Sequence, residues 1–145
     1  MSDQSFGKVI FAITNVPFAG TPAVMHNLVF TDNKILGIGI FDSANKLKVM
    51  EDNTLKKQEV LTNPNEITPE RLGSATVFEL EDSAVRSIKL YKNFSNTVFS
   101  GEFSTMDIYA SMMSSNTLWI NPEIQEDVRM LIRLTPLAAK LTMEA

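Results

Sequence analysis

Cysteine is absent from this chain of 145 residues, which excludes disulfide frameworks, thiolate zinc sites and cysteine nucleophiles together. Histidine is nearly absent. His26, between Met25 and Asn27, is the only one, and no G-x-S-x-G elbow accompanies it. A lone histidine just ahead of an apolar strand reads as a structural residue. Long apolar runs are missing too: the longest, Val9 to Ile13, falls far short of the ~20 residues that a membrane-spanning helix needs. Met1-Ser2-Asp3-Gln4-Ser5 has neither the basic start nor the apolar core of a signal peptide. With the missing cysteine, these features lead us to expect a soluble, cytoplasmic protein without a transmembrane segment.

Nor is there a surplus of positive charge. The net charge is −4, divided as −1 over residues 1–75 and −3 over residues 76–145. A nucleic-acid binder needs a basic stripe able to neutralise several phosphates. The densest basic cluster, Lys46, Lys48, Lys56 and Lys57, is interrupted by Glu51 and Asp52 and reads as a solvated face. No nucleic-acid partner is expected. What is present is an average globular composition, 44% apolar and 21% charged, sufficient to bury a core in one domain over residues 1–145.

Residues 8–14 are β-branched and apolar on both faces, the mark of a central strand. Pro17-Phe18-Ala19-Gly20-Thr21-Pro22 is a loop. Leu28-Val29-Phe30, Thr31-Asp32-Asn33-Lys34 and Ile35 to Phe41 spell a hairpin, with Asp and Asn able to take the positive φ of a tight turn. Over residues 43–61, Ser43 as a cap and Leu47, Met50, Leu55 and Val60 as one face predict a helix. Thr68-Pro69-Glu70 opens a short helix that Gly73 stops. Thr76–Glu81 and Arg86–Lys92 alternate as strands, with Phe78, Leu80, Ile88 and Leu90 inward. Residues 97–110 give one or two more, Phe99 and Phe103 opposing Met106 and Ile108. Asn121 caps a final helix with Pro122 at its first position and Glu123 at the positive end of its dipole. Ile124, Val128, Leu131, Ile132 and Thr135 line its inner face, leaving Glu126, Asp127, Arg129 and Arg133 outside. Pro136 should kink or end it, with Leu137 and Leu141 extending the stripe.

In this order three strings resemble the prokaryotic pleckstrin-homology-like (PH-like) domains. Leu28-Val-Phe-Thr-Asp-Asn-Lys-Ile-Leu36 is similar to their apolar–Thr-Asp–basic–apolar hairpin. Phe78-Glu-Leu-Glu-Asp-Ser-Ala-Val-Arg-Ser-Ile-Lys-Leu90 looks like their acidic-turn strand pair, and the helix from Asn121 sits where theirs plugs a bent sheet. The resemblance spans residues 6–141 and implies an α+β fold, a bent antiparallel sheet or partly open barrel closed by the C-terminal helix. A helical insertion at about 42–75 departs from the family pattern. A profilin- or longin-like sheet with helices on one face is the alternative.

Candidate sites are few. Leu36-Gly37-Ile38-Gly39-Ile40-Phe41 starts like a dinucleotide loop, but Asp42 stands where the third glycine belongs, so the glycines mark a bend or a close approach in a strand. Glu79 and Glu81 share one strand face and are the pair a divalent metal or a hydrolase would use, or simply the polar side of an amphipathic strand. Trp119, between Leu118 and Ile120, is a core or staple residue or a partner anchor. Phe18, in its Pro/Gly loop, is either buried or a contact residue. Met112-Met113 with Ser114, Ser115 and Asn116 suggests an adaptable loop. We therefore expect no catalytic, cofactor-binding or metal-binding residues, and a non-enzymatic interaction module with a protein partner or a second copy of itself. The alternatives are a small metal-dependent hydrolase using strand carboxylates and a structural oligomer subunit. Phosphoinositide headgroups are not an expected ligand, because residues 15–24 between the first two strands hold no basic side chain.

Overall fold

In the computed structural model, which describes residues 6–19, 23–50, 57–93, 103–110 and 115–143, the chain is a mixed α+β structure made mostly of strands. The described strands are β1 (Val9–Pro17), β2 (Met25–Thr31), β3 (Lys34–Gly39), β4 (Val60–Leu61), β5 (Thr76–Glu81), β6 (Val85–Asn93), β7 (Phe103–Ala110), β8 (Ser115–Ile120) and β9 (Leu141–Met143). They form one sheet in the order β4-β1-β2-β3-β5 and another in the order β8-β7-β6-β9, without closing into a barrel. The helices are short, α1 (Pro69–Leu72) and α2 (Gln125–Ile132).

The main core lies between the sheets. Phe11, Ile13, Leu28, Phe30 and Ile35 face Ile88, Leu90, Met106, Ile108, Leu118 and Ile120, and Val128 and Ile132 of α2 complete it. A second apolar layer covers the other face of the first sheet, where Ala12, Val29, Leu36 and Ile38 meet Leu61, Ile67 and Leu72. This is why β1 reads as apolar on both faces.

Residues 43–50 form no helix, and neither do 57–61; positions between them, including Leu55 and Lys56, lie outside the described residues. Residues 40–48 are instead a small hairpin. Asp42 Oδ1 accepts hydrogen bonds from the amides of Ala44 (2.9 Å) and Lys46 (3.0 Å), and Asn45 takes a left-handed φ of 62°. Short polar side chains that bond the local backbone this way compete with helix formation. Beyond it, β4 pairs with β1, and α1 closes the second layer and stops at Gly73, whose φ of 100° favours glycine. Thr68 stands at the N-cap without a side-chain bond.

The β2–β3 hairpin forms with Asp32-Asn33 at its tip, but neither residue has positive φ. The Thr31 hydroxyl ties the turn instead, accepting from the Lys34 amide at 3.0 Å and donating to the Lys34 carbonyl at 3.0 Å. The C-terminal helix differs from expectation in three ways. Asn121 heads a 3-10 turn over Pro122–Ile124, without a side-chain cap, and the α-helix starts only at Gln125. Arg129 is buried and pairs with Glu126, while Leu131 is only half-buried. The helix also ends at Ile132, well before Pro136. The Thr135 hydroxyl donates to the Ile132 carbonyl at 2.7 Å and accepts from the Leu137 amide at 3.0 Å, turning the chain so that β9 pairs parallel to β6. Of the predicted strands over 97–110, the described part is β7, with Met106 and Ile108 in the core; Phe99 lies outside the described residues.

Candidate functional site

β1 finishes, β2 begins, β3 finishes and β8 begins at one end of the molecule, as the pairings Pro17↔Met25, His26↔Gly39 and Phe18↔Leu118 require. A bulge prepares this end. Between Ile13 and Val16, two residues of β1 oppose Asn27 alone, and Asn15 adopts φ 55°. Because side chains alternate along a strand, the extra residue returns Val16 and Phe18 to the face of Phe11 and Ile13. Phe18 thereby leaves its apparent loop and packs on the core. Its ring stacks on His26 at 4.1 Å between centroids and meets the edge of Phe78 at 4.8 Å.

His26 is 4% exposed and its Nδ1 has no hydrogen-bond partner. Burial lowers its pKa from the ordinary 6.5, with the Val24 backbone partly opposing. Beside it, Phe78 lies over Gly37 so closely that a Cβ there would stand 2.0 Å from the ring. The glycine pair of β3 thus serves close approach. Gly39 does the same for the surface: a Cβ on it would meet Leu47 Cδ2 at 2.8 Å and both Phe41 Cε1 and Val77 Cγ1 at 3.2 Å. Those three side chains gather over Gly39 and remain 42% (Phe41), 37% (Leu47) and 40% (Val77) exposed. Among the described residues, this places an apolar cluster with partial exposure beside a strand at the end of its sheet.

Glu79 and Glu81 are exposed on β5, and Glu79 Oε2 pairs with Lys34 Nζ at 3.1 Å. Among the described residues no group of three or more His, Asp or Glu side chains could hold a metal ion. Trp119 is half-buried in β8, with its carbonyl accepting from Gln58 Nε2 at 3.0 Å. Met112, Met113 and Ser114 lie outside the described residues, and Ser115 opens β8.

Two polar residues of structural weight carry no sequence signal. Gln58 is buried and links three backbones, donating from Nε2 to the carbonyls of Asn15 and Trp119 and accepting at Oε1 from the Asn121 amide. Asp82 is 8% exposed with both carboxylate oxygens unpartnered. Burial raises its pKa, the nearby Lys140 opposes that, and Asp32 adds to it. Lys140 Nζ donates to the Asp82 carbonyl at 2.7 Å, tying the C-terminal segment to the turn before β6.

No helix among the described residues is long and apolar enough to cross a membrane. No protein-family model matches the chain, and no curated protein matches it in sequence.

Proposed function

We propose that this chain is a non-enzymatic, cytoplasmic binding module of PH-like architecture that engages a protein partner. The observation that carries the reading is the exposed cluster of Phe41, Leu47 and Val77 over Gly39, next to β5 at the end of its sheet. Apolar surface of this kind is costly in water and is characteristic of contact surfaces. Strand order supports the PH-like part of the reading. The bridge Phe18↔Leu118, with the Ala19 amide donating to the Thr117 carbonyl at 2.8 Å, links the two sheets into one bent succession, β5-β3-β2-β1-β8-β7-β6, and α2 packs on its core.

The test compares affinity capture from native lysate by the wild-type chain and by the triple variant Phe41→Ser, Leu47→Ser, Val77→Ser. We expect the variant to keep the wild-type thermal unfolding midpoint within a few degrees and to lose a partner that the wild type retains. Capture of the same proteins in the same amounts by both would refute the reading.

A further inference from the structure

We infer that the outer edge of β5 accepts an extended segment of another protein in which basic and apolar residues alternate. The inference rests on the binding-module reading and specifies its partner. β5 is bonded to β3 on one side, and no described strand flanks the other, so half of its backbone groups face outward as a template for strand addition.

The two faces of that edge differ. Phe78 and Leu80 stand opposite Gly37 and Ile35 on the core side, half-buried; a bulge then interrupts the alternation between Phe78 and Thr76, and Val77, the extra residue, joins Phe41 and Leu47 over Gly39. Glu79 and Glu81 stand on the other side, exposed. An added strand places successive side chains on alternate faces. Its apolar positions would therefore extend the Phe78–Leu80 row, and its intervening positions would sit beside Glu81 and beside Glu79, which Lys34 of β3 already pairs from the inner side of the ladder, so that lysine or arginine is complementary.

The same charges decide against a second copy. Two β5 edges brought together would crowd Glu79 and Glu81 of both, and like charges on neighbouring strands are destabilising. The chain does contain one alternating basic–apolar stretch, Lys46-Leu47-Lys48-Val49, but it is already occupied. Lys48 donates its amide to the Ile40 carbonyl at 2.7 Å and accepts from the Met25 amide at 2.9 Å. The occupant is a segment of a different protein.

The probe is a short blocked peptide of alternating lysine and valine, titrated into the full, isotope-labelled chain and followed by amide resonances and hydrogen exchange. Its comparators are an alternating glutamate–valine peptide and a peptide of the same lysines and valines arranged in two blocks. We expect residues 76–81 to shift and gain exchange protection with the alternating basic peptide, and both comparators to bind roughly tenfold more weakly or worse. The double variant Glu79→Lys, Glu81→Lys should reverse the preference toward the acidic peptide. Equal affinity for basic and acidic peptides, equal affinity for the block peptide, or shifts confined to residues outside β5 would overturn the inference. If the peptides fail while lysate capture still depends on Phe41, Leu47 and Val77, the binding-module reading stands and the strand-addition chemistry falls.

Discussion

At the scale of single residues, His26 and Gly37 show how one group's surroundings set its consequence. The imidazole of His26 is stacked on Phe18 and buried, so its proton is harder to bind in the folded chain than in the unfolded one. A base with a lowered folded pKa contributes stability in full above its unfolded value. As the pH falls below about 6.5 the unfolded chain takes up the proton first, and that contribution is lost down to the folded pKa. We expect His26→Phe, which keeps a stacking ring and cannot titrate, to lose less stability between pH 7 and pH 5 than the wild type; urea melts at both pH values measure the difference. Gly37 is constrained by contact rather than charge. A Cβ 2.0 Å from Phe78 forces that ring off Phe18 and Gly37 alike, so Gly37→Ala should destabilise by about 1–3 kcal/mol. In a Phe78→Ala background the same change should cost much less, and equal costs in both backgrounds would contradict the contact.

At the scale of elements, the C-terminal helix and β1 depart from simple periodicity for identifiable reasons. The spacing of Val128, Leu131 and Ile132 suggests three equivalent core residues, but a helix of eight residues presents a narrow inner stripe, and Leu131 falls at its margin. Ile132→Ala should cost about 2–5 kcal/mol, the range for a fully buried aliphatic truncation, whereas Leu131→Ala should cost clearly less. Comparable losses in denaturant melts would show that Leu131 is a core residue after all. In β1 the bulge at Thr14 and Asn15 shifts the alternation by one, which is why Phe18 does not continue the pattern of Phe11 and Ile13 in sequence yet lies on their face. Asn27 stabilises the bulge. Its Oδ1 accepts from the Asn15 amide at 3.1 Å, and its Nδ2 donates to the Leu72 carbonyl at 3.0 Å, joining the bulge to α1.

At the scale of the whole molecule, we base a prediction about lipid headgroups on charge. The end where β1 and β2 meet carries Phe18, His26, Phe41 and Leu47, its adjoining hairpin carries Asp42 as well as Lys46 and Lys48, and Lys34 is engaged by Glu79 on the β3–β5 ladder. A net charge of −4 opposes approach to an anionic surface. We expect no difference in co-sedimentation between neutral vesicles and vesicles carrying phosphorylated inositol lipids at the same salt. Salt-sensitive binding to the charged vesicles alone would refute this.

By itself the sequence determined those elements whose causes are local. The β2–β3 hairpin, the short helix between Pro69 and Gly73, and the alternation of β6 follow from turn chemistry, proline and glycine placement, and period-two hydrophobicity within a few residues. The tertiary structure decided whatever depends on partners distant in the chain. Residues 40–48 form a hairpin and not a helix because, besides the turn held by Asp42 and Asn45, Ala23 and Met25 pair with Met50 and Lys48 on its outgoing side. Gln58 links three backbones that no spacing connects, and β9 finds β6 only after Thr135 has turned the chain. The surface cluster of Phe41, Leu47 and Val77 is likewise invisible in sequence. It exists because Gly39, lacking a side chain, leaves the space in which Phe41 and Leu47 of the small hairpin meet Val77 of β5.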